Sequence, residues 1–304
     1  MREQRIFKFD NKTSIVSYIW KEEGMKVRGC LEIFHGMAEN ILRFDEMANY
    51  FVKEGFIVIG HDHYAHGDSA ESIEKIGECT DYDFMDAVIK AMKLVRDEYD
   101  EYFKDTKRCL FAHSMGSMAA QRYIQKYPND FDYVVLSGTD IGGGKYKFGK
   151  PLLKLFTKDG KIKYSNFVLN MSTTGFNKKF KKDHPKYGWL SRNPHNIKAF
   201  EESPYCGKDF PTNYFYSMAK MMCENVKPEN LKRINPKVKI FIYSGKEDPV
   251  SNYGKSILKL EKLYKKYGLN VTSKVIPNAR HEVHNENEEI KLELFKTIVD
   301  FYSK

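Results

Sequence analysis

The spacing of apolar and polar positions divides the chain into recognisable elements. RIFKF and SIVSYIW alternate in part and flank the turn-forming DNKT, which predicts a β-hairpin at the start. VRGCLEIF and FIVIGHD are short apolar runs of the kind a buried strand shows. Between them FDEMANYFVKEG has helical spacing that ends at Gly55. DYDFMDAVIKAMKLVRDEYDEYF predicts one long amphipathic helix. RCLFAHS reads as a strand that runs directly into a helix at SMGSMAAQRYIQKYP, closed by Pro128, and DYVVLSG is a further strand. After a gap come strand VKIFIYSG, helix YGKSILKLEKLYKKYG, strand VTSKVIP and a helix from about Glu286. Strands alternating with helices imply an α/β fold, a mostly parallel sheet covered on both faces. The opening hairpin adds antiparallel strands at one edge.

Residues 141–215 break this alternation. They begin with IGGGKYKFGKP and carry weak helical segments such as PLLKLFTK. The reading is an insertion between two strands, acting as a lid. The expected division is a core domain from 1–140 and 216–304 with a cap subdomain from 141–215.

Composition changes this picture in two places. The net charge is +9, yet the insertion alone holds 15 Lys plus Arg against 5 Asp plus Glu, or +10. The basic character therefore belongs to the insertion. Either it is a solvated lysine-rich surface, or it attracts acyl or phosphate anions or makes transient contact with a membrane surface. No aromatic-interleaved basic motif accompanies it, so nucleic acid is not an expected partner. The five cysteines (Cys30, Cys79, Cys109, Cys206 and Cys223) are odd in number and lack a C-x-x-C pair. That favours reduced thiols over a disulfide framework or a zinc–thiolate site. MREQRIFKFD has no apolar signal region, and no apolar run approaches the roughly 20 residues of a membrane span. A cytoplasmic protein is expected.

FAHSMGS is one residue short of G-x-S-x-G, with Ala112 in place of the first glycine. The apolar strand before it and the helix after it are the context in which this motif presents a nucleophile. A serine hydroxyl needs a histidine base, a carboxylate to orient that base, and N–H donors for the oxyanion. SGKEDPV offers Asp248 at a strand end, with Glu247 as competitor. NARHEVHNE offers His281 beyond the next strand, with His284 as competitor. The order Ser114, Asp248, His281 is that of nucleophile, acid and base in one known hydrolase arrangement. HGMAEN supplies the backbone N–H of Met37 after an early strand, and Met115 supplies a second at a helix start. His35 is read as a buried residue holding that loop. GHDHYAHGDS places His61, His63 and His66 at a zinc-like spacing, but no further ligand motif joins them, and a structural loop is the better reading.

HGMAEN, GHDHYAHGDSAE, AHSMGS, SGKEDPV and NARHEVHNE, in that order, resemble the monoacylglycerol lipase and lysophospholipase group of α/β-hydrolases, grouped with serine aminopeptidases. WLSRNPHNIKAFEESPYCG resembles the end of that group's cap. The resemblance implies the α/β-hydrolase fold with an inserted cap. It implies Ser114 as nucleophile, Asp248 as acid, His281 as base, and Met37 and Met115 as oxyanion donors, with no metal and no organic cofactor. Ala65 stands where the group's D-x-x-G-H-G-x-S loop has a glycine. The expected activity is hydrolysis of a small-molecule carboxylic ester with one acyl chain, of monoacylglycerol or lysophospholipid type. A peptidase or amidase using the same triad and a non-catalytic binding protein are the alternatives, and the oligomeric state is left open.

Overall fold

The computed structural model describes residues 1–79, 83–157, 163–169 and 175–304. The first two residues of the expected long helix, Asp81 and Tyr82, and the last of PLLKLFTK, Lys158, lie outside these. Eight strands form one sheet: β1 (Arg2–Lys8), β2 (Ser14–Trp20), β3 (Gly29–Phe34), β4 (Phe56–His61), β5 (Arg108–His113), β6 (Tyr133–Ser137), β7 (Lys239–Gly245) and β8 (Asn270–Ile276). Their order is β1-β2-β4-β3-β5-β6-β7-β8. β1 and β2 pair antiparallel as the expected hairpin, closed where Asp10 Oδ1 accepts the N–H groups of Lys12 and Thr13 at 2.7 and 2.8 Å. β2 is also antiparallel to β4, and every later pairing is parallel. β3 and β4 are buried along their whole length, which is why they read as continuous apolar runs rather than alternating ones.

Helices α1 (Asp45–Lys53), α2 (Phe84–Glu98), α3 (Asp100–Phe103) and α4 (Ser114–Lys126) follow the early strands. Between β6 and β7 lie α5 (Gly144–Leu155), α6 (Asn166–Leu169), α7 (Pro194–Glu202), α8 (Thr212–Glu224) and α9 (Pro228–Leu231). α10 (Lys255–Lys266) and α11 (Glu288–Ser303) complete the chain. α1 and α11 bury Phe51, Phe295 and Tyr302 on one face of the sheet. α2, α4 and α10 bury Val88, Tyr123 and Ile257 on the other. The single helix expected over 81–103 is two, because the chain breaks at Tyr99 between α2 and α3.

The segment between β6 and β7 is more helical than its sequence pattern suggested. α8 runs unbroken through Phe215, the expected end of the insertion, and packs on α5 as well as on α2 and α4. One helix thus spans residue 215.

Candidate active site

Ser114 stands at the join of β5 and α4 with a φ of 51°. That left-handed conformation costs a residue with a Cβ roughly 1–2 kcal/mol. It persists because its surroundings fix it. His113 and Met115 on either side are buried. A Cβ on Gly116 would lie 2.3 Å from the carbonyl oxygen of His35, so the elbow meets the loop after β3 through a glycine. Ala112 is fully buried within β5, its methyl part of the core.

Three chain segments meet at this serine. His281 Nε2 lies 2.8 Å from Ser114 Oγ, and His281 Nδ1 lies 2.9 Å from Asp248 Oδ1. The three side chains follow the carboxyl ends of β5, β7 and β8. Asp248 Oδ1 also accepts the Val250 N–H at 2.8 Å. The imidazole packs between Trp189 and His113, at ring separations of 5.0 and 4.7 Å. Gly138, just past β6, has a φ of 56°, and a Cβ there would fall 2.9 Å from the His281 ring. Burial alone would lower the pKa of His281, but the Asp248 carboxylate outweighs it and holds the imidazole above its ordinary 6.5. The chain carboxylate–imidazole–hydroxyl is what removal of the Ser114 proton requires.

The competitors are engaged elsewhere. Glu247 pairs with Arg192 and lies 3.6 Å from Arg280. His284 stacks on Phe44 at 4.9 Å, and burial pushes its pKa down to about 3.

Gly36 donates its N–H to Glu39 Oε1 at 2.6 Å. Among the described residues the N–H groups of Met37 and Met115 donate to no protein acceptor, and both residues line the same cavity as Ser114. The Met115 N–H belongs to the first turn of α4, where donors have no partner within the helix and the dipole favours negative charge. Two free donors beside a serine can hold an oxyanion.

His35 is fully buried, hydrogen-bonded through Nδ1 to the Gly36 carbonyl at 2.7 Å and through Nε2 to the His63 N–H at 3.0 Å. His61 and His63 bond to each other at 3.0 Å, and His66 bonds to the Tyr64 carbonyl. No cluster of metal-ligating side chains occurs among the described residues. Asp62 shapes this loop by accepting the Ile41 and Asp68 N–H groups, each at 2.8 Å. Ala65 takes a φ of 59° there.

Sequence reasoning missed a buried clasp around the site. Arg43 donates to both oxygens of Glu282 at 2.8 and 2.6 Å, pairs with Glu39, and donates to Asn196 Oδ1 at 2.9 Å. Its guanidinium lies 4.8 Å from the Phe200 ring. Burial pushes the Glu39 carboxyl up to about 7 against the pull of Arg43. Glu282, though equally buried, is held down to about 2 by the same guanidinium. The clasp ties the Met37 loop and the His281 loop to α7. Glu39 and Arg43 stand at i,i+4 and were legible as a pair, whereas Glu282 carried no signal beyond its place beside His281. Arg280 makes a second tie, donating to the carbonyls of Gly188 and Ser191 at 2.6 and 3.2 Å.

A cavity of about 720 Å³ opens above Ser114. Residues before, within and after 141–215 wall it together, among them Met118, Leu153, Phe176, Trp189, Tyr214 and Met218. No helix among the described residues is long and apolar enough to cross a membrane.

The chain is 26% identical over 299 residues to a probable lysophospholipase L2 of Haemophilus influenzae, covering 90% of this chain and 84% of that protein. It is 25% identical over 127 residues to a monoacylglycerol lipase of Mycolicibacterium smegmatis, covering 42% and 43% of the two chains. A thermostable carboxyl esterase of Bacillus coagulans, solved with glycerol, superposes with a TM-score of 0.90 at 25% identity, over 99% of this chain and 97% of that one. The fold is that of an α/β-hydrolase. Residues 25–288 match the family model described as serine aminopeptidase, S33, and the chain belongs to that family.

Proposed function

We propose that the protein is a serine-dependent carboxylic ester hydrolase, with residues 141–215 as a cap over its site. The observation that carries this reading is the unbroken hydrogen-bond chain Asp248–His281–Ser114, ending in a largely apolar cavity. Ser114 Oγ attacks the ester carbonyl carbon while His281 Nε2 takes its proton. The N–H groups of Met37 and Met115 hold the resulting oxyanion. The tetrahedral species collapses, the ester C–O bond breaks, and the leaving alcohol takes the proton from His281. Water then attacks the acyl-enzyme by the same steps and releases the acid and Ser114.

The substrate proposed is a monoacylglycerol or lysophospholipid. Two observations support a single acyl chain: the names of the similar proteins, and a cavity within the roughly 300–1,000 Å³ typical of small-ligand sites. The family description supports a second reading, cleavage of an amide beside a free amine. A substrate ammonium needs a free carboxylate. Of the acidic residues lining the cavity, Glu39 and Glu282 are engaged by Arg43, which leaves Asp209 against the lining cations Lys145, Lys181, Lys186 and Lys208. That balance favours the ester. The five cysteines, four of them buried, form no disulfide among the described residues, which supports a reducing compartment, the cytoplasm.

The test is a competition among a monoacylglycerol, a lysophospholipid, a short nitrophenyl ester and an aminoacyl amide at equal concentration, followed by mass spectrometry. A lipid ester is expected to disappear first, and the Ser114→Ala protein is expected to consume none while unfolding at the parent temperature. Ester turnover persisting in that variant would sink the mechanism. Consumption of the amide alone would keep the triad and overturn the substrate class.

A further inference from the structure

We propose that Glu32 positions the oxyanion donor Met37, acting through a buried hydrogen-bond chain that runs by way of His61 and His63 to His35. All four side chains belong to residues with no exposed surface. The peptide between Gly36 and Met37 carries one oxyanion N–H, and its carbonyl is bonded to His35 Nδ1 at 2.7 Å. A trans peptide is planar, so holding that carbonyl sets the direction of the Met37 N–H.

Backbone groups at two places dictate where each proton of the chain lies. A carbonyl only accepts, so His35 Nδ1 carries hydrogen, and its bare Nε2 accepts the His63 N–H at 3.0 Å. His63 Nε2 faces the His35 carbonyl at 3.1 Å and must donate to it. His63 Nδ1 is then bare and accepts from His61 Nε2 at 3.0 Å. These assignments need three neutral rings. Burial pushes all three pKa values below the ordinary 6.5, that of His61 to about 3. His61 Nδ1 is left as a bare acceptor with no partner among the described residues. Glu32 Oε1 lies 3.8 Å from it, and neither oxygen of Glu32 has a partner there either.

Only a donor completes the chain. Glu32 stands in β3 beside Ile59 of β4 and Leu110 of β5. Arg96 and Lys93 of α2 favour a charge on it, but Arg96 pairs with Asp100, and Lys93 pairs with Asp97 and Asp130. Burial prevails and raises the Glu32 pKa well above 4.5, so the group is a carboxylic acid. Turned about 1 Å closer, its O–H donates to His61 Nδ1. A carboxylate would demand the reverse direction, with hydrogen on Nδ1 of both His61 and His63. A bare His63 Nε2 would then repel the His35 carbonyl and loosen the Met37 loop. The use made of Met37 rests on the ester hydrolase reading, while the direction of the chain does not.

Two substitutions in the full-length protein separate positioning from packing. Glu32→Gln keeps a donor for His61 Nδ1 and should leave kcat on a short nitrophenyl ester near the parent value. Glu32→Met keeps the volume and removes the donor, so the two directions of the chain come closer in energy. It should lower kcat about tenfold with KM unchanged, because the oxyanion forms only beyond the ground state. It should also unfold at or above the parent temperature, since it removes two unpartnered oxygens from the core. Nitrogen-15 spectra of histidine-labelled protein report the tautomers. His61 and His63 are expected to carry hydrogen on Nε2 and His35 on Nδ1, in the parent and in Glu32→Gln. Hydrogen on His61 Nδ1 in the parent, parent-like kcat in Glu32→Met, or equal loss in both variants overturns the proposal and leaves the hydrolase reading standing. A Glu32→Met protein that is slower and also less stable does the same, for Glu32 would then act through packing. A parent that turns over no ester removes the hydrolase reading and with it the role of Glu32, even where the tautomers are as expected.

Discussion

At the scale of single residues, the site depends on how one imidazole is held. His281 is buried, which disfavours its charged form, yet Asp248 at 2.9 Å reverses the sign and raises its pKa. A base must be neutral to accept a proton, so activity rises with pH through that raised value. The acid limb of kcat/KM on a nitrophenyl ester is expected above pH 6.5, the ordinary histidine value. Asp248→Asn removes the largest raising charge and leaves burial opposed only by the lesser pull of Glu282 and Glu39. The limb should then move below the ordinary value, and kcat should fall by on the order of 10⁴-fold as the tautomer is lost. A limb that stays in place would show that Asp248 does not orient the base. Ser114, Asp248 and His281 were legible because each follows an apolar run with a turn residue beside it. Arg43 and Glu282 were not, because their contact spans 239 positions and leaves no local period.

At the scale of elements, α4 sets two preferences against each other. Gly116 is the third residue of a helix, where alanine would ordinarily gain about 1 kcal/mol. Its Cβ would instead meet the backbone oxygens of His35 and Phe34 at 2.3 and 2.7 Å. Backbone yields less readily than a side-chain tip, and overpacking costs about 1–3 kcal/mol, so the clash outweighs the propensity. Gly116→Ala is expected to lower Tm and, by moving the loop that carries Met37, to reduce kcat by about 10²–10³-fold. A variant more stable than its parent and fully active would refute this packing account. The same contest between local signal and tertiary context explains where the sequence was readable. All eight strands overlap the predicted strand segments, the doubly buried β3 and β4 as continuous apolar runs and the edge hairpin β1–β2 by partial alternation around its turn. α8 escaped notice although eight of its thirteen residues are buried, because it is apolar nearly all round and begins within a stretch read as lid. α7 carried a readable start in Asn193-Pro194, where the asparagine side chain accepts the His195 N–H at 3.0 Å.

At the scale of the whole molecule, the site is an agreement among segments that fold apart in sequence. Arg43 lies at its centre, joining the Met37 loop, the His281 loop and α7 through Glu39, Glu282 and Asn196. Its side chain is 10% exposed and those of the two glutamates 3% and 2%. A methionine at this position keeps the volume and leaves two buried carboxylates without their cation. Breaking such a pair costs about 3–5 kcal/mol, which for a chain of this size lowers Tm by roughly 10 °C. The effect of pH follows from the direction of each shift. Without Arg43, burial governs both glutamates and their native pKa values rise above the ordinary 4.5. Between the unfolded and native values the native state holds more protons than the unfolded one, so its stability increases as pH falls. The deficit of Arg43→Met relative to the parent should therefore be largest near pH 8 and shrink toward pH 5. Thermal unfolding across that range measures it directly. Adding Glu39→Gln and Glu282→Gln removes the stranded charges and should recover most of the lost stability at pH 8. It should not recover kcat, because the amides do not restore the tie between oxyanion loop and base. A pH-independent deficit, or a triple variant no more stable than Arg43→Met, would mean that the clasp contributes by packing rather than by charge.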